Sequence, residues 1–204
     1  MLEVAVRLLA DGPIRQLWLN PPVPPVIEVI HSGGTGDMPR FMEQEAARTR
    51  DADLPLRLIV VVDSDRTGPG QPPSQDATEI ERKASQCKAM PFILGKHEAE
   101  NYIPDFHWRA ELAREPYIPK LAKAMNDILS MSAVDRDYCD MDTLKCKKVR
   151  KDYEQKRPHH LEVLLKRVRQ ESAPAALSAM AADLRARDHS GDLKAILDLI
   201  DQER

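Results

Sequence analysis

At 204 residues, 42% apolar and 31% charged, the chain is long enough for one well-packed domain with an appendage, and it reads as an ordinary soluble protein. No apolar run approaches membrane-spanning length, and the amino terminus lacks the order of a secretory signal, so a cytoplasmic protein with no membrane partner is expected. The net charge of −3 argues against general nucleic-acid affinity, and three cysteines without CxxC spacing (Cys87, Cys139, Cys146) argue against a disulfide framework or zinc site.

In chain order, residues 3–10 carry Val4, Val6, Leu8 and Leu9 and stop near Gly12-Pro13, which predicts a short helix. Four prolines between 21 and 25 make a stiff loop. Val26, Ile27, Val29 and Ile30 predict a strand that runs into a turn at Gly33, Gly34 and Gly36, followed by a helix over 39–48. That turn lacks the lysine and spacing of a P-loop. Residues 57–62 predict the next strand, 67–74 a mobile Gly- and Pro-rich loop, and 76–87 a helix capped by Asp76. A third strand is expected over 90–94. Alternating strands and helices imply right-handed crossovers and a doubly wound, mainly parallel α/β sheet over residues 1–110. Residues 111–204 read as a helical region, with Pro158 opening one helix and two more flanking Ser190-Gly191.

Two acidic clusters stand out. The apolar run Val60-Val61-Val62 ends in Asp63 and Asp65, and Glu98 and Glu100 follow the third strand. A buried parallel strand delivers such carboxylates to the carboxyl edge of a sheet, where α/β ligand sites form. Their mutual repulsion is commonly offset by a divalent cation, which points to a metal-dependent enzyme acting on phosphate esters. The plainer alternatives are that Asp63 and Asp65 cap a turn and that Glu100 opens a helix. Within 143–169, ten Lys and Arg face three acids, leaving ten surplus negative charges on the remainder. That asymmetry suits either a docked polyanion or a solvated helix face. His159-His160 read as surface histidines, because adjacent helical residues point apart. Trp18, Trp108, Phe106 and Tyr102 read as core, since 4% aromatics supports no base-stacking platform.

Taken together, Asp63-Ser64-Asp65-Arg66, the helix, and the strand leading to Glu98-Ala99-Glu100-Asn101-Tyr102 resemble the TOPRIM domain of OLD-type nucleases and related bacterial anti-phage effectors. In that group a DxDR strand end precedes a Glu-Asn-Tyr element. The resemblance covers residues 2–104 and implies a TOPRIM-like fold. It also implies Mg²⁺- or Mn²⁺-dependent cleavage of DNA, possibly extending to RNA, in antiviral defence. On that resemblance Asp63, Asp65 and Glu100 are metal ligands and catalytic residues, with Glu98 and Glu3 as further ligand candidates. Lys145 is the candidate catalytic cation, and Arg66, Lys147, Lys148, Arg150 and Lys151 are candidate nucleic-acid contacts. The family's opening strand and its glutamate have no counterpart before Glu3. A separate ATPase or sensor chain and self-association are the implied partners. The alternative is a non-catalytic TOPRIM-like subunit that binds nucleic acid or serves as a scaffold.

Overall fold

A computed structural model describes residues 1–10, 12–20, 36–51, 58–114, 119–141 and 160–202. Strand β1 (Ile59–Val62) and strand β2 (Met90–Ile93) lie parallel, with Ile59 opposite Met90 and Val62 opposite Ile93. Helix α4 (Gln75–Gln86) connects them. This is the predicted crossover, read from an all-β-branched strand and an amphipathic helix. Ser74 rather than Asp76 caps α4, its hydroxyl accepting from the Ala77 amide at 3.1 Å. The serine stands at the residue before the helix, where a cap must be. Pro91 is tolerated within β2, which has β1 as its one strand neighbour among the described residues.

The doubly wound sheet expected from sequence therefore reduces, among the described residues, to two strands in a mainly helical α/β structure. The predicted strand at 26–30 and the Gly33-Gly34 turn lie outside those residues. Alternation along β1 still covers both faces. Val60 and Val62 pack with Met42 of α3 (Met38–Asp51) and with Ala77, Ile80 and Ala84 of α4. Ile59 and Val61 face the larger core.

That core crosses the expected boundary near residue 110. It joins α1 (Leu2–Leu9), α2 (Gly12–Leu19), α5 (Asp105–Leu112), α6 (Pro119–Ser130), α8 (His160–Gln170), α9 (Pro174–Arg187) and α10 (Asp192–Gln202). A short α7 (Ala133–Asp137) lies between α6 and α8. Val4, Ala5, Val6 and Leu8 are all buried, so α1 is apolar on nearly every side and is surrounded by α2, α8, α9 and α10. Trp108 and Tyr102 are fully buried, and Trp18 and Phe106 pack against the same core.

His160 is not a surface histidine. It is fully buried and its Nδ1 lies 2.9 Å from His107 Nε2, while His107 Nδ1 faces the Arg167 guanidinium at 3.0 Å. Arginine can only donate, so His107 Nδ1 accepts, its proton sits on Nε2, and it donates to His160. Arg167 also pairs with buried Glu111 at 2.6 Å. Adjacent helical residues do point apart, but His160 begins α8 and points inward onto α5.

Burial, reinforced by His160 and Arg167, lowers the His107 pKa to about 2. The unfolded chain therefore binds the extra proton first. Stability associated with neutral His107 is complete above pH ~6.5 and falls as the pH drops below it, by at most about 1.4 kcal/mol per pH unit. We predict that His107→Leu, though less stable at neutral pH, flattens the slope of denaturation midpoint against pH between ~4 and 6.5. An unchanged slope in urea titrations would sink this account.

Candidate functional site

The site is built where both strands end. The Leu94 amide donates to Val62 O at 3.0 Å, and the loops beyond continue the pairing irregularly. Asp65 N donates to His97 O at 2.9 Å, and the buried Ser64 hydroxyl donates to Lys96 O at 2.5 Å. Asp63 follows directly on β1, and its Oδ1 accepts from the Ala99 amide at 2.8 Å. Ala99 opens a 3₁₀ turn, Ala99–Tyr102, that carries the buried Glu100. Asp63 and Glu100 are thus brought together from successive loops at the carboxyl edge of a parallel pair. Burial first, then the charge of Glu100, pushes the Asp63 pKa up to about 6. The hydrogen bond from Ala99 opposes that rise, and Glu98 and Asp65 add smaller repulsions. The head of α1 reaches the same place, since Glu100, Asp63 and Glu3 all act on the Met1 amine.

The other expected ligands are directed elsewhere. Asp65 is exposed and left-handed, with φ 51°, and its carboxylate accepts from Ser74 Oγ at 3.1 Å. Positive φ ends the strand's alternation, so Asp65 turns toward the start of α4, and aspartate is among the residues that tolerate this conformation. Glu98 is buried and accepts from the Met141 amide at 2.8 Å, a structural role. Glu3 is held by Arg7 at 2.8 Å and by Arg169 at 2.5 Å, which joins α1 to α8. Among the described residues no three His, Cys, Asp or Glu side chains form a metal-holding group. Two hard oxygen donors still suit Mg²⁺, which retains several waters and binds one or two carboxylates plus phosphate oxygens. The half-buried Arg66 sends Nη1 to Gly95 O at 3.5 Å, and its Nε has no acceptor among the described residues. Lys145, Lys147, Lys148, Arg150 and Lys151 lie outside those residues.

Several residues that hold the acidic turn take structural roles that the sequence did not assign to them. Asn101 donates from Nδ2 to Arg136 O at 2.7 Å and to Cys139 O at 3.0 Å, and Arg187 Nε donates to Asn101 O at 2.6 Å. Lys96 is buried against Asp137 at 2.9 Å, with its ammonium 4.6 Å from the Tyr102 ring centroid. Burial, followed by the charge of Arg187, lowers the Lys96 pKa to about 8. The Tyr102 hydroxyl donates to Asp192 at the start of α10, and the same carboxylate accepts from Gly95 N at 3.2 Å. Apart from Lys96 and Tyr102, these partners lie 35 to 97 residues apart, beyond any local pattern.

A Cβ on Gly95 would stand 2.7 Å from Asp192 Oδ2. Gly95→Ala is expected to lower stability by about 1–3 kcal/mol in chemical denaturation, by displacing a carboxylate with three donors. Wild-type stability would disprove that reading. For Asp63 the folded-state pKa lies above the unfolded one, so stability is lost as the pH rises from ~4 through about 6 and the full cost is present above that. Asp63→Asn is expected to stabilise by about 1–2 kcal/mol at pH 7–8, discounted for partial exposure. The gain disappears below pH ~4, and thermal melts across pH test both halves of the statement.

No family model matches the chain, and neither a curated protein nor a solved structure shows significant similarity to it.

Proposed function

We propose that the chain is a divalent-metal-dependent phosphodiesterase acting on nucleic acid, of the TOPRIM type. The observation that carries this reading is the Asp63–Glu100 pair. Two carboxylates are held close enough, and dry enough, to push one of them up to about 6. The surrounding fold maintains that repulsion rather than relaxing it. Titratable groups held in such a state cluster at functional sites. Asp63 and Glu100 would hold Mg²⁺ or Mn²⁺. A cation there supplies Lewis acidity toward a phosphodiester and lowers the pKa of a bound water. Arg66, a half-buried guanidinium beside the acidic loop, is the nearby cation suited to a phosphate oxygen. Because the two carboxylates leave much of a cation's coordination to other oxygens, substrate phosphate completes the site.

The second reading, a non-catalytic nucleic-acid-binding or scaffold subunit, is favoured by a separate observation. Glu98 and Glu3 are each committed to structural contacts, and Asp65 is turned toward Ser74.

The test is cleavage of plasmid and single-stranded substrates with Mg²⁺, Mn²⁺ or EDTA by wild type, Asp63→Asn and Glu100→Gln, with folding checked by circular dichroism. The phosphodiesterase reading expects metal-dependent cutting that drops at least about 100-fold in either variant. Cutting that survives both substitutions, or persists in EDTA, refutes it. A wild type that retains nucleic acid but cuts nothing under any of these conditions supports the scaffold.

A further inference from the structure

A second charged feature lies away from the acidic turn, on the helical side of the molecule. Helices α1, α2 and α9 enclose a groove of about 440 Å³, lined by Arg7, Arg15 and Arg185, with Ser178 and the aliphatic Leu8 and Leu177 between them. Arg15 is half-buried and Arg185 exposed, and among the described residues neither has an ion-pair partner. Arg7 is bound to Glu3, but that carboxylate is already shared with Arg169. One acid therefore serves two guanidiniums at the rim, while two more guanidiniums have none. Arg15 and Arg185 thus bring two unpaired guanidinium charges to one groove of a chain with net charge −3, and that local surplus attracts an anion.

The lining narrows the choice of anion. It offers guanidinium forks, a serine hydroxyl and aliphatic surface, with no aromatic ring to stack a base and no amide to read one. Such a set suits the sugar–phosphate backbone, where arginine forks take phosphate oxygens and register carries no sequence information. Position agrees with this. Arg7 lies six residues along α1 from Met1, about 9 Å, and the Met1 amine is within the electrostatic reach of Asp63 and Glu100.

We infer that the α1–α2–α9 groove is a sequence-independent binding site for the phosphate backbone of a nucleic-acid strand, with Arg15 and Arg185 taking the phosphate oxygens. The nucleic-acid identity of the ligand rests on the phosphodiester reading of the acidic turn, whereas the groove's preference for phosphate oxygens does not.

Binding of a short labelled single strand and the matching duplex is measured by fluorescence anisotropy in EDTA, which removes metal from the acidic turn. The proteins are wild type, Arg15→Glu/Arg185→Glu, Arg15→Lys/Arg185→Lys and Asp63→Asn. The glutamate pair is expected to weaken binding at least tenfold and to reduce the log–log salt slope by about two. The lysine pair retains most of the affinity, and Asp63→Asn binds at least as tightly as wild type. Thermal melts confirm folding, and should the Arg15→Glu/Arg185→Glu protein unfold, Arg15→Gln and Arg185→Gln singly carry the test, each expected to weaken binding severalfold and to lower the salt slope by about one. Three results overturn the site: no oligonucleotide binding by wild type, equal binding by wild type and the glutamate pair, or binding of a nucleoside triphosphate in place of the oligonucleotide. Groove-dependent binding without cleavage would remove the enzymatic reading alone.

Discussion

One buried carboxylate, Asp137, holds together the parts that frame the acidic turn. Its oxygens meet Lys96 at 2.9 Å, the Arg187 guanidinium, and His189 Nε2 at 2.7 Å. Its backbone carbonyl accepts from the His97 amide at 2.9 Å. The loop after β2, the end of α7 and the end of α9 are thereby joined at a single residue. Taking these charges out of water costs several kcal/mol each, and the mutual attraction offsets that only because the geometry is saturated with hydrogen bonds. Lys96 additionally donates to Arg187 O, and Arg187 goes on to Asn101 O. Removing one member of such a pair typically costs about 3–5 kcal/mol, because an uncompensated buried charge remains. The network therefore fixes geometry more than it raises stability.

What it fixes is an arrangement that electrostatics opposes. Left to relax, Asp63 and Glu100 would separate, and the 3₁₀ turn is the element that could give way. Asn101 closes that route from one side by bridging Glu98 N, Arg136 O and Cys139 O. Tyr102 closes it from the other by donating to Asp192. A repelling pair inside a densely hydrogen-bonded frame is a local conflict that the rest of the fold maintains, and such conflicts concentrate at functional sites. Asp65, left-handed one residue beyond Ser64, belongs to the same pattern.

The sequence was legible wherever a residue's fate depends on its near neighbours. The run Ile59-Val60-Val61-Val62 and the break at Ser190-Gly191 act within a few residues, and the elements they specify are present, whereas the cap of α4 falls on Ser74 two residues before the expected Asp76. The approach of Asp63 to Glu100 was legible for a similar reason, since parallel strands with a crossover helix bring successive loops to one edge. The fates of Glu98, Lys96 and His160 were not. Each is buried because of a partner 41 to 53 residues away: Met141 for Glu98, Asp137 for Lys96 and His107 for His160. Between the two readings of Asp65, metal ligand or turn cap, the sequence held no local signal. Its role turns on a single backbone angle, and the residue itself tolerates either sign of φ.

Charge shows the same division most clearly. Counted along the chain, the basic residues crowd into 143–169, and a polyanion would be sought there. Yet α8, the described end of that segment, commits Arg167 to Glu111 and His107 and Arg169 to Glu3. Those cations are structural, and their charge is already spent. Two guanidiniums without a carboxylate among the described residues, Arg15 and Arg185, stand in stretches of ordinary composition 170 residues apart, and they line one groove because α1 draws α2 and α9 onto its apolar face. Attraction for an anion depends on how much charge is left unpaired after folding, rather than on how many cations a segment contains. By that measure the helical groove outranks the described end of the basic segment as a phosphate-binding surface. The burial of α1, which the sequence presents as an ordinary short helix, is what creates it.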